Sequence, residues 1–386
     1  MAIRLTEKPV FMLGAERSGT TLLMAMVGCH PRIAVPEVVW YYPRFRPYLH
    51  TYGDLAREEN FRTLAAEMIF GLKTPFWGMR VNPRTIVDEI LETVRERSFA
   101  GIYCAMFERY AREVGGKPRW GEKTPYNLFF VKEILDDFPN AQFIFITRDG
   151  RDACADYLES GFGPTNIFCA AEVWKLCQNA VEPWRKRLGR ETWMDVRYED
   201  LAHAPESTLR AVCRFLGEEY TPAMLEFHHG DIARARGTTR DHKPLGGPAS
   251  DRYIGIYKQL LSRRDQGIFM AVAGKELVDA GYNADVEPLA VSEADAALYR
   301  ELDGRARAAT LDAPEGHIVY ESYNDWLVDQ REQRRRQGVW READAPKNQF
   351  PIGHPHEELI MGQRAWRRWK EHFAVKRRYH AARVVL

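Results

Sequence analysis

The sequence predicts an α/β protein: a three-layer fold with a central, mostly parallel sheet flanked by helices, followed by a helical C-terminal extension. Three observations carry that expectation. Val10-Phe11-Met12-Leu13 is an apolar run that enters a loop framed by Gly14 and Gly19, and Thr20 and Thr21 then open an amphipathic stretch. Gln142 to Thr147 is a second apolar run, as expected for a strand buried on both faces of a parallel sheet. From there to Leu216 short apolar runs alternate with helical periodicity.

The strand–loop–helix order at residues 10–23 presents backbone N–H groups and a helix N-terminus to a phosphate. This makes the fold P-loop-like, with one difference. The triphosphate-binding pattern G-x-x-x-x-G-K-[ST] would place lysine at position 20, which here is threonine. The cation that reaches the outer phosphates must come from elsewhere.

The helix is expected over Thr20 to Cys29, with Pro31 stopping it, and Ile33-Ala34-Val35 reads as a second strand. A helix of about ten residues travels about 15 Å from the loop. About six extended residues return about 20 Å, so Glu37, after Pro36, can stand at the same sheet edge as the loop. Trp40 to Tyr52 is rich in aromatics, which suits an acceptor pocket wall or a packed lid equally. Helical segments are expected at 55–72, 82–97 and up to Gly115-Gly116. Lys123, in Trp120-Gly121-Glu122-Lys123-Thr124-Pro125, is the candidate for the missing cation, against a plain solvated charge.

Arg148 follows the 142–147 strand, at the end where open α/β sheets bind ligands. It can grip a phosphate through two parallel hydrogen bonds, or pair with Asp149 or Asp152. A helix is expected over 170–188, bent or ended at Pro183, then a strand over 191–196 and a helix over Pro205 to Leu216. The loop 238–257 carries Arg240, Lys243 and Arg252 among glycines, and can fold over a nucleotide or form a surface segment.

Beyond residue 283 the chain turns polar. Helices are expected at 292–302 and 323–336, with a basic cluster over Arg331 to Arg336 and a linker over 344–356. A tail at 363–383 places Trp366, Trp369 and Phe373 among arginines and lysines. That tail either contacts an anionic membrane surface peripherally or docks on the core with its basic face in water. The chain has 55 basic and 54 acidic residues, a balance that excludes a polyelectrolyte, and no nucleic-acid partner is expected. No apolar run approaches the ~20 residues of a membrane span. The first strand begins too early for a signal peptide, and the scattered cysteines lack C-x-x-C spacing. A cytoplasmic protein with reduced thiols is expected.

Taken together, the motifs resemble a family. Gly14 to Thr21 is similar to the 5′-phosphosulfate loop of sulfotransferases that use 3′-phosphoadenosine 5′-phosphosulfate (PAPS). Arg148-Asp149-Gly150-Arg151-Asp152 is similar to their 3′-phosphate motif, and Trp120 to Pro125 and Arg197 to Leu201 follow the family's order. The likeness is strongest to the bacterial branch related to tyrosylprotein sulfotransferases. It covers roughly residues 8–283, giving a sulfotransferase domain at 1–283 and a basic helical extension at 284–386.

The resemblance implies sulfonate transfer from PAPS, without a metal, to a hydroxyl on a carbohydrate, lipid, small molecule or tyrosine. It implies that Arg17, Ser18, Gly19, Thr20 and Thr21 hold the 5′-phosphosulfate. Glu37 falls at the catalytic glutamate, Lys123 at a lysine on the transferring sulfonate, Arg148 at the 3′-phosphate arginine and Tyr198 at a tyrosine near the adenosine. One position departs from the pattern: the 3′-phosphate serine, eight residues after the arginine, is Asp156 here. Ser160, one helical turn on, is the candidate substitute, with Arg151 or the loop around Arg252 as compensating cations. The rival readings are a P-loop kinase or nucleotidase, disfavoured by Thr20, and a catalytically silent nucleotide-binding scaffold.

Overall fold

The computed structural model describes residues 8–72, 75–160, 163–237, 245–308 and 315–344. Its core is a parallel sheet of strand order β2-β3-β1-β4-β5, with β1 Val10–Leu13, β2 Ile33–Ala34, β3 Arg119–Glu122, β4 Gln142–Thr147 and β5 Trp193–Arg197. Every pairing is parallel, so all five C-terminal ends lie along one edge.

Alternation along β1 and β4 builds two cores. Phe11, Leu13, Phe143 and Phe145 face one layer, and Val10, Met12, Ile144 and Ile146 face the other. Helix α1 (Thr20–Gly28) belongs to the second layer, with Leu209 and Val212 of a helix that spans Pro205–Leu216 as expected. Opposite lie α2 (Glu58–Phe70), α3 (Phe99–Glu113), α4 (Gly150–Glu159), α5 (Ile167–Arg187) and α6 (Arg263–Asp279).

The bottom edge is latched by buried polar groups. Arg119 donates to the Lys8 carbonyl at 2.6 Å, to the Leu216 carbonyl at 2.8 Å and to Gln142 Oε1. Gln142 Nε2 donates in turn to the carbonyls of Glu191 and Phe215 at 2.9 and 2.8 Å. These bonds satisfy backbone oxygens that burial would otherwise orphan.

Several expectations are revised. The second strand is two residues long, and the 82–97 helix contracts to Ile86–Leu91. Pro183 lies inside α5 without ending it, since that helix continues to Arg187. Tyr41, Tyr42, Phe45 and Tyr52 are buried in the aromatic core around Tyr103 and Trp120, so they serve as packing and not as a pocket wall. His30, at the end of α1, accepts from the Arg32 amide at 3.1 Å and donates from Nε2 to the Glu219 carbonyl at 2.9 Å, a structural histidine.

The extension's two described helices, α7 (Glu293–Ala308) and α8 (Glu315–Arg336), pack on the sheet domain. Asp303 accepts from the Thr165 amide and hydroxyl at 2.6 and 2.8 Å. Within the expected basic cluster, Arg331 is buried over the Tyr48 ring at 3.8 Å. Arg334 pairs with Glu67 at 2.7 Å, and Glu67 also accepts from the Tyr52 hydroxyl. Arg335 and Arg336 remain outside, on Glu332. No helix among the described residues is long and apolar enough to cross a membrane. The 363–383 tail lies outside the described residues, as do Arg240 and Lys243.

Glu67→Ala should leave Arg334 and the Tyr52 hydroxyl buried without their partner, and cost about 3 kcal/mol in urea unfolding. Lys275→Ala, at an exposed pair with Asp279, should leave the urea midpoint nearly unchanged. Equal costs would remove the buried cluster as the anchor of α8.

Candidate nucleotide and acceptor site

The loop from Gly14 to Gly19 leaves the C-terminal end of β1 and turns into α1 through two left-handed residues, Arg17 at φ 65° and Gly19 at φ 91°. Gly19 is required twice over. Its φ disfavours any side chain, and a Cβ there would meet the Tyr198 ring at 2.4 Å. Ser18 Oγ, fully buried, has no hydrogen-bond partner among the described residues. Glu16 fixes the loop from behind, since its Oε2 accepts from the hydroxyls of Tyr126 and Tyr157 at 3.0 and 3.1 Å. Sequence reading missed Glu16, which occupies an unspecified position of the loop pattern.

Lys123 stands at this loop. Its Nζ reaches Thr21 Oγ1 at 3.3 Å from the end of β3, over a hundred positions along the chain. Glu37 comes to the same edge by register. Ala34 pairs with Trp120 across β2 and β3, and Glu37 and Lys123 each lie three residues beyond that pair. The Trp77 indole donates to the Glu37 carbonyl at 3.1 Å, and the Trp40 amide donates to Thr124 Oγ1 at 3.4 Å, which ties the two segments together.

Glu122, just before Lys123, also went unnoticed in the sequence. Its fully buried carboxylate accepts from the Thr124 hydroxyl and the Asn127 amide. Burial outweighs those bonds and the nearby Lys123 charge, and raises its pKa to about 7. It pins the turn that carries Lys123.

On the other flank, Arg148 leaves β4 and lies over the Tyr198 ring at 4.7 Å. It donates to the Arg17 carbonyl at 2.9 Å and the Tyr253 carbonyl at 2.8 Å. Its ion-pair partner is Asp156, at 3.1 Å, and not Asp149 or Asp152. Asp149 is taken by Arg151, which holds it through Nε at 3.0 Å and Nη2 at 2.7 Å. Asp152 accepts from the amides of Gly255 and Tyr257 at 2.7 and 2.8 Å, and burial raises its pKa to about 6. Asp152 thereby secures the segment after Arg252. Arg151 also binds Asp285, so two carboxylates hold its guanidinium. Ser160 Oγ is buried at the end of α4 and donates to the Tyr157 carbonyl at 2.7 Å.

Tyr198 links the loop to a cavity of about 540 Å³ lined by Leu22, Gly246, Gly247, Ser250, Arg252 and Tyr253 among others. Desolvation raises the Tyr198 pKa to about 12, so its hydroxyl stays protonated at neutral pH. The volume falls within the range of small-ligand sites.

The sulfotransferase family model matches residues 9–222, more than half of the chain and the stretch that carries the loop, Glu37, Lys123, Arg148 and Tyr198. The chain belongs to the sulfotransferase family. This sulfotransferase is 25% identical over 246 residues to the protein-tyrosine sulfotransferase of Drosophila melanogaster, covering 62% of this chain and 42% of that one. It is 24% identical over 264 residues to protein-tyrosine sulfotransferase 2 of Gallus gallus, covering 64% and 63%. The chain thus spans less than two thirds of the length of these relatives. Among solved structures it is similar to the sulfotransferase domain of the Synechococcus PCC 7002 olefin synthase, with TM-score 0.48, 16% identity, and coverage of 81% of this chain and 98% of that one.

The raised pKa of Glu122 makes a stability prediction. The folded protein holds this proton between the ordinary carboxylate value and about 7. The contribution is therefore full below that interval and lost as pH rises through it. Wild type should lose up to about 3 kcal/mol relative to Glu122→Gln between pH ~4.5 and ~8, read by urea unfolding. Parallel profiles would show that Glu122 ionises normally.

Proposed function

We propose that this protein transfers a sulfonate group from PAPS to a hydroxyl acceptor. The observation that supports this most is the contact of Lys123 with Thr21, which brings a cation from a neighbouring strand to a phosphate loop lacking its own lysine. The glycine cradle, the buried Ser18 hydroxyl and the adjacent cavity suit a nucleotide. When bound, the donor supplies an activated sulfonate for in-line transfer to oxygen.

In this reading Arg17, Ser18, Gly19, Thr20 and Thr21 hold the 5′ end through backbone amides, hydroxyls and a guanidinium. Arg148 meets the 3′-phosphate, while Tyr198 and Arg252 border the nucleoside. Lys123 stabilises charge that develops on the transferring group. Arg17 and Lys123 together supply the positive charge, so no metal is required. Glu37 accepts the acceptor's proton as general base. Acceptor choice falls among carbohydrate, lipid, small-molecule and tyrosine hydroxyls. The names of the fly and chicken relatives favour testing a tyrosine first, and a phenol, with pKa near 10, asks less of the base than an alcohol.

The test is calorimetric titration with 3′-phosphoadenosine 5′-phosphate (PAP) against ATP with Mg²⁺. PAP should bind more tightly, and a preference for ATP would overturn the proposal. Glu37→Gln should lower kcat by roughly 10²-fold or more and leave PAP affinity within about threefold. Unchanged kcat would remove Glu37 from the mechanism.

A further inference from the structure

The two arginines placed at opposite ends of the donor share one carboxylate. Asp156 Oδ1 lies 2.6 Å from Arg17 Nη2, and its Oδ2 lies 3.1 Å from Arg148 Nη1. Of the three side chains Asp156 is the most exposed, at 27% against 10% for Arg17 and 4% for Arg148. An anion approaching Arg148 therefore meets the carboxylate.

The arginine has little freedom to move away from it. Arg148 is held by the Arg17 and Tyr253 carbonyls and by the Tyr198 ring. Asp156 sits on α4 one turn after Asp152, which is itself bound to the backbone of Gly255 and Tyr257. The helix that carries Asp156 is thus fastened to the cavity wall. A second anion at this place would have to displace the carboxylate or lie beside it. A hydroxyl there would instead find an acceptor for its hydrogen.

We propose that Asp156 sets selectivity at the ribose 3′-position, holding down the preference for a 3′-phosphate over a free 3′-hydroxyl. The inference rests on the donor reading above, which places the ribose 3′-substituent at Arg148. It follows from specificity being a difference of two affinities: a fixed like charge penalises one ligand and spares the other. If Asp156 served only to orient the arginines, its removal would weaken the phosphorylated ligand. The proposal requires the opposite sign.

The experiment measures PAP and adenosine 5′-phosphate affinities for the full chain in wild type, Asp156→Asn and Asp156→Ser, with melting temperatures to confirm folding. Wild type should prefer PAP by less than about tenfold. Both variants should raise that preference by about tenfold or more through tighter PAP binding, with adenosine 5′-phosphate affinity unchanged or lower. A wild-type preference of a hundredfold, or an unchanged or reduced preference in folded variants, overturns the role of Asp156 and leaves the donor assignment standing. Failure of wild type and both variants to bind either nucleotide overturns the donor assignment, and the role of Asp156 with it.

Discussion

Parallel hydrogen bonding of β1 to a strand on each side is the constraint on which the site depends. Val10 pairs with Gly121 on one side and with Gln142 on the other. Because both neighbours run the same way, Leu13, Glu122 and Thr147 all end at one edge, and the residues that follow them meet there. The loop brings backbone amides, β3 brings Lys123 and β4 brings Arg148. The Arg119–Gln142 latch at the opposite edge matters for this reason. It joins Lys8, ahead of β1, to the starts of β3 and β4, which resists register slip. A one-residue slip would turn the two cores inside out.

Much of this arrangement was legible in the sequence because it is written in local signals. The apolar runs of β1 and β4 and the glycines of the loop are short-range patterns, and so is the helix that begins at Pro205. Arg148 was legible from its place after a buried strand. Its partner was not. Nearness along the chain suggested Asp149 or Asp152, but helix α4 starts at Gly150, and its period puts Asp152 and Asp156 on one face. The aromatic stretch at 40–52 left two readings open for a related reason. Composition suits a pocket and a core alike, and only the helices packed around Tyr103 decide between them. Arg331 and Arg334 read only as part of a basic cluster, and Glu67, which receives Arg334, lies 267 residues away in the chain.

Carboxylates do the positioning around the site. Glu16 holds the loop through two tyrosines, Glu122 holds the turn after Lys123, and Asp152 holds the segment after Arg252. Each accepts hydrogen bonds from the groups it positions. For Glu122 and Asp152 burial costs more than those bonds return, as their raised pKa values show. Such groups add little net stability, and what they provide is placement.

The absence of a lysine from the loop acquires a structural meaning in this frame. A loop lysine moves with the loop, whereas Lys123 is carried by a strand whose register is fixed at both edges. A shift of two residues between β1 and β3 would preserve the faces of both strands yet move Lys123 by about 6.6 Å along the sheet. The 3.3 Å contact with Thr21 could not survive it. Charge at the loop is therefore a property of the whole sheet. Asp156 belongs to the same design, since it balances Arg17 and Arg148 from a third element, α4. The chemistry of this loop is set by what the neighbouring strands and helix deliver to it.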